Sequence, residues 1–276
     1  MPRIAAIQTS SSDNVAENLA KIEPYIAQSV KDGAELIILP ECCAFMQSSV
    51  AQLLETAEEI SPENSVQGEI QGAFSKLSKK YQVCIIVGSL PVKSLSPDKV
   101  TNTLMVFDAL GNRIATYDKI FLFDVVLPNG EVYRESSYTE AGVRIETVDS
   151  PVGKVGLSIC YDLRFPELYR KLVSLGAQIL IVPSAFSATT GKDHWLPLLR
   201  ARAIENCCYV IAPAQFGIHN GKRKTWGHTV IIDPWGKVLS ELESGWGVVS
   251  AEIDLQRLES IRSQLPSLEH IRDDLF

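Results

Sequence analysis

Cys160 is the residue of this sequence best placed to act as a nucleophile. It follows the apolar run 155–159 and precedes a turn and a helix that begins near Pro166. A thiol at a sharp turn between a strand and a helix projects from the sheet edge, where backbone N–H groups can face a developing oxyanion. Since a free thiol has a pKa of about 8.5, it needs a neighbouring base or cation to react at neutral pH. The alternative role is that of a small core residue.

Glu41, Lys119 and Glu135 could supply such a base and such a cation. Glu41 follows the apolar run 36–40, and a carboxylate at the carboxyl end of a buried strand is well placed to line a pocket. Lys119 follows a predicted β-hairpin, where a lysine among apolar neighbours could stabilise an oxyanion. Glu135 lies in a long irregular stretch, 121–142, whose length in a compact domain indicates a contribution to a site. The alternative for all three is a solvated charge at the surface.

Other common forms of enzyme chemistry find little support in the sequence. It contains four histidines and no G-x-S-x-G motif, which argues against a serine–histidine hydrolase. No G-x-G-x-x-G motif and no phosphate-binding glycine loop occurs, which argues against nucleotide use. The six cysteines form no C-x-x-C pattern, so we expect reduced thiols, no metal and no cofactor. These cysteines are Cys42, Cys43, Cys84, Cys160, Cys207 and Cys208.

Size, charge and hydropathy predict a cytoplasmic protein of one domain. The 276 residues, 46% of them hydrophobic, can bury a sizeable core, and no linker divides residues 1–276 before a C-terminal tail from about 265. The net charge of −7 and the scattered basic residues argue against a nucleic-acid partner. The N-terminus lacks a signal-peptide pattern, and no apolar stretch reaches the roughly 20 residues of a membrane span. We therefore expect no membrane partner.

Hydrophobic periodicity predicts alternating helices and strands, and hence a mixed α/β protein with helices outside its strands. Strands are predicted at 3–8, 35–40, 83–88, 103–108, 113–117, 155–159, 177–182, 208–212 and 248–253, with two antiparallel strands around Asp233-Pro234-Trp235-Gly236. Helices are predicted at about 14–31, 66–81 and 193–206, and from about 166 and 255 onward. The pair 103–108 and 113–117 forms the β-hairpin before Lys119, with its turn at Gly111-Asn112.

The residues singled out above lie in motifs that resemble the nitrilase superfamily of carbon–nitrogen hydrolases. The motifs are Leu39-Pro40-Glu41, Tyr117-Asp118-Lys119 and Ile159-Cys160-Tyr161-Asp162-Leu163-Arg164-Phe165-Pro166-Glu167. The resemblance extends over nearly the whole chain, through Pro183-Ser184-Ala185-Phe186, His194-Trp195, Leu199-Arg200-Ala201-Arg202-Ala203-Ile204-Glu205-Asn206, Trp226-Gly227-His228-Thr229 and Asp233-Pro234-Trp235-Gly236. It implies an α-β-β-α sandwich with two central sheets and helices outside. It also implies that subunits pair through helices to form a homodimer or a higher homo-oligomer.

The resemblance assigns roles to the residues that match the motifs. Cys160 would be the nucleophile, and Glu41 the general base that takes its proton. Lys119 would stabilise the oxyanion with help from the backbone N–H of Tyr161. Glu135 matches the second glutamate of the superfamily and would position Lys119 or assist proton transfer. All three core positions match the superfamily pattern.

Within the superfamily, the chain is similar to the branch that contains deaminated glutathione amidase and ω-amidase. This implies a small amide substrate that bears a carboxylate, with deaminated glutathione favoured and 2-oxoglutaramate as the alternative. The substrate contacts predicted from the motifs are Tyr161, Arg164, Ser184 and Phe186, with Arg164 as a candidate anchor for the carboxylate or as part of a structural ion pair. Lys192 and Arg223 are expected in loops near the mouth, the second in a loop, 217–224, that could admit a peptide end.

The expected reaction passes through a thioester. Cys160 attacks the amide carbon, ammonia leaves, and Glu41 then activates the water that hydrolyses the thioester. Because Glu41 serves both steps, we expect its pKa to be raised towards the working pH, although the neighbouring charges could shift it in either direction. A non-catalytic binding subunit of the same fold is a rival that the complete set of Glu, Lys and Cys argues against. Acyl transfer to an amine instead of water stays open.

Overall fold

The computed structural model of the chain describes residues 1–61, 66 and 68–272, which form two β-sheets with helices on their outer faces. The helices are α1 (Val15–Lys31), α2 (Val50–Thr56), α3 (Glu69–Tyr81), α4 (Pro166–Ser174), α5 (Ala188–Asn206) and α6 (Leu255–Gln264). The strands of the first half are β1 (Arg3–Gln8), β2 (Ala34–Ile38), β3 (Cys84–Lys93), β4 (Val100–Phe107), β5 (Arg113–Asp118), β6 (Asp124–Val126), β7 (Val132–Arg134), β8 (Thr139–Glu140) and β9 (Thr147–Ser150). Those of the second half are β10 (Gly153–Gly156), β11 (Ile179–Ile181), β12 (Tyr209–Ala212), β13 (Phe216–His219), β14 (Arg223–Trp226), β15 (Thr229–Ile232), β16 (Val238–Leu242) and β17 (Gly247–Glu252).

Each half of the chain contributes most of one sheet. The first sheet has the order β17-β1-β2-β3-β4-β5, with β8 paired to β4, and β1, β2 and β3 run parallel. The second sheet has the order β16-β15-β12-β11-β10-β9, with β10, β11 and β12 parallel. The last strand of the chain, β17, crosses back and pairs antiparallel with β1 in the first sheet.

The alternation of side chains along β1 and β2 explains why the first sheet is buried on both faces. Ile4 and Leu36 point into a core shared with the second sheet, whereas Ala5 and Ile37 point into a second core beneath α1 and α3. Successive strand residues face opposite sides, so a continuous apolar run can fill two cores at once. On the far side, Trp195 of α5 joins the core of the second sheet. The predicted α-β-β-α sandwich is confirmed.

Most predicted elements are present, with shifted bounds. The strand predicted at 155–159 is shorter, because β10 ends at Gly156 and the hydroxyl of Ser158 then bonds to the carbonyl of Ile181. The helix predicted at 193–206 is longer, because α5 begins after Ser187, whose hydroxyl accepts a hydrogen bond from the N–H of Thr189. The helix predicted from residue 66 begins at Glu69, and residue 67 lies outside the described part of the chain.

Two regions expected to be loops contain regular structure. The stretch 121–142 holds the small hairpin of β6 and β7, a single 3-10 turn at Glu135–Ser137, and β8. The loop expected at 217–224 is the hairpin of β13 and β14. Short α2 and β9 were not predicted. In the ranges that the structure describes, no helix combines the length and apolar character needed to cross a bilayer.

Candidate active site

The predicted catalytic residues meet where parallel strands of both sheets end. Glu41 follows β2, Lys119 follows β5, and Cys160 follows β10 by four residues. These strand ends face the same edge of the sandwich, which is the usual place for a ligand site in sheets of parallel strands. Together with Glu135, the three side chains line one cavity, which has a volume of about 60 Å³ and is partly open to solvent.

The backbone near Glu41 is packed tightly against its neighbours. A Cβ at Gly88 of β3 would lie 2.2 Å from the carbonyl oxygen of Leu39 and 2.4 Å from the carbonyl carbon of Pro40, so only glycine fits there. Gln215, which lies between β12 and β13, donates its side-chain amide N–H to the carbonyl of Glu41 at 3.0 Å. These contacts fix the backbone of Glu41.

Lys119 connects the two predicted glutamates. Its Nζ lies 3.0 Å from Oε1 of Glu41, and 3.0 and 2.9 Å from the two carboxylate oxygens of Glu135. Asn102 of β4 donates to Oε1 of both acids, at 2.9 Å to Glu41 and 3.4 Å to Glu135. The second oxygen of Glu41 accepts the backbone N–H of Ala185 at 2.8 Å. All three charged residues are buried, with 8% exposure or less.

The charges around Glu41 keep it ionised. Burial opposes its ionisation, but the positive charges of Lys119 and Arg223 and the N–H of Ala185 outweigh burial and lower its pKa to about 2. The expectation of a pKa raised towards the working pH is therefore wrong for the resting site, because two cations surround this carboxylate. Burial alone would lower the pKa of Lys119, but the two glutamates raise it well above its usual value. The site thus holds a carboxylate base and an ammonium cation.

Cys160 occupies a strained turn that lines the cavity. Its φ is +49°, a left-handed conformation that costs a non-glycine residue about 1–2 kcal/mol, and its N–H bonds to the carbonyl of Pro183 at 3.0 Å. A 3-10 helix, Cys160–Arg164, begins here, so the N–H of Tyr161 lies in its first turn, where intrahelical partners are lacking. Burial and the negative charge of Glu41 raise the pKa of the Cys160 thiol well above its usual value. The resting nucleophile is therefore a neutral thiol next to an ionised base.

Asp162 fixes the Cys160 turn to the segment that carries Lys119. One of its carboxylate oxygens accepts the hydroxyl of Tyr117 at 2.6 Å and the N–H of Ile159 at 2.8 Å, and the other accepts the N–H of Phe121 at 3.0 Å. Asp162 is fully buried, and burial raises its pKa to about 6 in spite of these donors. Tyr117 and Phe121 flank Lys119, so one carboxylate sets the relative position of nucleophile and cation.

We expect Asp162→Asn to lower both stability and turnover. An amide nitrogen cannot accept a hydrogen bond, so at least one of the three donors loses its partner, at a cost of about 1–3 kcal/mol of unfolding free energy. The resulting displacement of Cys160 from Lys119 should lower kcat by up to about 10²-fold. Urea unfolding and steady-state rates measure the two effects. Asp149→Asn, which removes an exposed carboxylate far from the cavity, is the control. Unchanged stability and kcat in Asp162→Asn would contradict this role.

The four predicted substrate contacts divide into two pairs. Tyr161 and Phe186 line the cavity. Ser184 and Arg164 are absent from the described lining. The hydroxyl of Ser184 donates to the carbonyl of Val182. The guanidinium of Arg164 packs over the rings of Tyr161 and Phe186. Arg164 also contacts His194 at 3.3 Å. Arg164 therefore packs against two residues of the cavity wall, and its role as an anchor for the carboxylate stays a prediction.

Three polar residues of the site were not predicted in their observed roles. Asn102 bridges the two glutamates, Asp162 fixes the turn, and Arg223 lines the cavity from β14. Asn102 lies between two threonines in β4, and because asparagine is depleted in strands, its position there was a usable signal. All six cysteines are free thiols, as expected. Among the residues that the structure describes, no three His, Cys, Asp or Glu side chains are grouped to hold a metal ion.

Comparison with known proteins places this geometry in context. Residues 3–263 match the family model described as carbon–nitrogen hydrolase. A Synechocystis protein named deaminated glutathione amidase is 44% identical over 269 residues, which cover 96% of this chain and 96% of that protein. A Mus musculus protein of the same name is 39% identical over 280 residues, which cover 100% of this chain and 85% of that protein. The crystal structure of Saccharomyces cerevisiae Nit3, a member of branch 10 of the nitrilase superfamily, matches with a TM-score of 0.86 and 30% identity, covering 100% of this chain and 97% of Nit3.

Proposed function

The chain belongs to the carbon–nitrogen hydrolase family, and from this premise we propose that it hydrolyses the amide bond of deaminated glutathione through a thioester on Cys160. The observation that carries the proposal is the buried contact of Lys119 with both Glu41 and Glu135 in the cavity that also contains Cys160. A carboxylate base, a cation and a thiol are the groups that acyl transfer to a cysteine requires.

The first half-reaction forms the thioester. Sγ of Cys160 attacks the amide carbon while its proton passes to the ionised carboxylate of Glu41. The low pKa of Glu41 and the high pKa of the thiol mean that this proton moves only as the new S–C bond forms. Nζ of Lys119 and the N–H of Tyr161 stabilise the oxyanion. The C–N bond then breaks, and the departing amine takes the proton from Glu41.

The second half-reaction consumes water and restores the enzyme. Glu41, again ionised, accepts a proton from a water molecule whose oxygen attacks the thioester carbon. A second oxyanion forms in the same position, and the thiolate of Cys160 leaves and regains its proton from Glu41. The products are a carboxylic acid and an amine, and Glu135 holds Lys119 in place through both of its oxygens during the two steps.

The identity of the leaving amine distinguishes the two candidate substrates. A primary amide such as 2-oxoglutaramate releases ammonia, as the sequence-based mechanism assumes. The scissile amide of deaminated glutathione instead joins the keto acid to a cysteinylglycine peptide, so its leaving group is the amine of that peptide. An ammonia assay alone would therefore miss the favoured substrate.

The names of the relatives and the walls of the cavity support a substrate larger than a simple amide. Aromatic and aliphatic side chains, including Phe45, Phe123, Tyr133 and Phe186, line the cavity around the polar site. Both named relatives match over nearly the whole chain. A cytoplasmic location and a homodimer belong to the same proposal. The acidic composition supports the first, and the resemblance to the superfamily supports the second.

We expect kcat/KM to be highest for deaminated glutathione, lower for 2-oxoglutaramate, and lowest for nitriles and short uncharged amides. The measurement is the release of 2-oxoglutarate, which both keto-acid amides yield, with ammonia as the readout for the nitriles and uncharged amides. A nitrile or an uncharged aliphatic amide that exceeds both keto acids would contradict the proposed substrate and leave the catalytic roles intact. Running each reaction with and without an added amine separates hydrolysis from acyl transfer, because a transferase would release little free acid without the acceptor.

A further inference from the structure

Arg223 presents to the cavity a cation that pairs with no carboxylate of the described residues. Glu41 and Glu135 are the acids among the described residues of the lining, and both bind Lys119. In the part of the chain that the structure describes, no ion pair within 4.0 Å involves Arg223. Its Nη2 donates to the carbonyl of Ala185 at 3.0 Å, and its Nη1 lies 3.7 Å from the sulfur of Met46. A guanidinium has five N–H donors, so donors remain for a ligand.

The hairpin of β13 and β14 holds Arg223 in this position. His219, which is opposite Arg223 in the hairpin, bonds to the carbonyl of Ser11 at 2.8 Å and to the hydroxyl of Thr225 at 2.7 Å. Asn220 at the tip donates to the carbonyl of Met46 at 2.7 Å. The N–H of Trp226 donates to the carbonyl of Phe186 at 3.0 Å. The cation is therefore fixed from both sheets before any ligand binds, which lowers the entropy cost of binding.

Arg223 is better suited than Arg164 to bind an anion in the cavity. Arg164 is already stacked on two rings and contacts His194. A guanidinium is always charged, and burying it beside a cavity is costly unless an anion compensates. Burial opposes the charge of Arg223, but the negative charges that Cys42, Glu41 and Cys160 can carry outweigh burial and raise its pKa, which places the guanidinium in the electrostatic environment of the nucleophile.

We propose that the guanidinium of Arg223 binds the carboxylate of the acyl part of the substrate, remote from the scissile amide. A planar guanidinium can hold a carboxylate with two parallel hydrogen bonds, and this geometry selects an acid over a neutral amide of the same length. The inference rests on the proposed function, and it makes Arg223 a residue that determines specificity. It predicts that the enzyme discriminates between substrates by the charge at the end of their acyl chain.

The test compares glutaramate with its methyl ester, two primary amides that differ in the charge at the far end of the acyl chain. Arg223→Gln should lower kcat/KM for glutaramate by about 10- to 100-fold, mostly through KM, since a hydrogen bond to a charged group is lost. A change in the pKa of Glu41 acts on both substrates, so the ratio of kcat/KM for the acid to kcat/KM for the ester is the readout: it should fall by about 10- to 100-fold in Arg223→Gln and stay unchanged in Lys224→Gln. Lys224 is the matched control, because it is exposed and neighbours Arg223 on β14. The kcat/KM of Arg223→Lys for glutaramate should lie between the values of Arg223→Gln and the wild-type protein. A lysine keeps the positive charge but cannot form two parallel hydrogen bonds to a carboxylate.

The outcomes separate this inference from the alternatives. An equal loss for the acid and the ester would overturn it, and would show that Arg223 acts by lowering the pKa of Glu41. No loss for either substrate would also overturn it. If the wild-type protein hydrolyses neither these amides nor deaminated glutathione, the proposed function fails, and calorimetry of glutaramate with Cys160→Ala decides the inference alone. Binding that disappears in Cys160→Ala/Arg223→Gln supports the anchor, and binding unchanged by the second substitution excludes it.

Discussion

Cys160→Ala is expected to abolish turnover, lowering kcat by about 10⁵- to 10⁶-fold while the protein stays folded. Removing a nucleophile from a group that acts as a unit typically costs this much, because the remaining base and oxyanion donors have no covalent intermediate to serve. The thiol alone is lost, and the buried network of Glu41, Lys119 and Glu135 keeps its hydrogen bonds. Rapid quench of the reaction should detect an acyl-enzyme in the wild-type protein and none in the variant.

Cys207→Ala provides the matched control for that variant. Cys207 is also buried and also has a left-handed backbone, with φ of +46°, but it ends α5 and does not line the cavity. Each substitution removes one buried thiol from a similarly strained position, so each should change the unfolding free energy by a similar amount. Turnover that survives in Cys160→Ala, or that is lost equally in Cys207→Ala, would refute the covalent mechanism.

The sequence predicts the catalytic residues well because each follows a segment with a clear pattern. Glu41 and Cys160 follow apolar runs, Lys119 follows a hairpin, and the family motifs then assign their roles. The sequence patterns do not contain the distances between these residues. The carboxylates of Glu41 and Glu135 are 94 residues apart in sequence, yet Asn102 and Lys119 contact both. That arrangement depends on how two sheets pack, and periodicity in one segment cannot report it.

Arg223 shows a second limit of reading the sequence. The segment 217–224 contains two glycines and an asparagine, and such residues predict a loop. It forms a hairpin in which His219 bonds both to the hydroxyl of Thr225 and to the carbonyl of Ser11, a residue from a distant part of the chain. The predicted direction of the pKa shift of Glu41 was wrong for the same reason. Its value is set by Lys119 and Arg223, and the contribution of Arg223 could not be known before the hairpin was placed.

Glu41→Gln should have opposite effects on turnover and on the reactivity of the thiol. Without a carboxylate, no group accepts the proton of Cys160 during attack, and loss of a general base typically costs about 10²–10⁴ in rate. At the same time, the negative charge that raises the pKa of Cys160 is removed, whereas the positive charges of Lys119 and Arg223, which lower that pKa, remain. The thiolate should therefore form at lower pH in the variant than in the wild-type protein.

Alkylation of Cys160 by iodoacetamide measures this shift directly. A raised pKa means that the thiolate is absent below that pKa and appears as pH rises through it, so the rate of alkylation follows a titration curve. In Glu41→Gln the midpoint should move to lower pH, and alkylation at neutral pH should become faster although turnover is lost. Glu241→Gln, which changes an acid that pairs with His228 away from the cavity, should leave the midpoint where it is. A midpoint unchanged or raised in Glu41→Gln would show that Glu41 does not control the proton of the nucleophile, and the proposed role of this carboxylate as the general base would then be wrong.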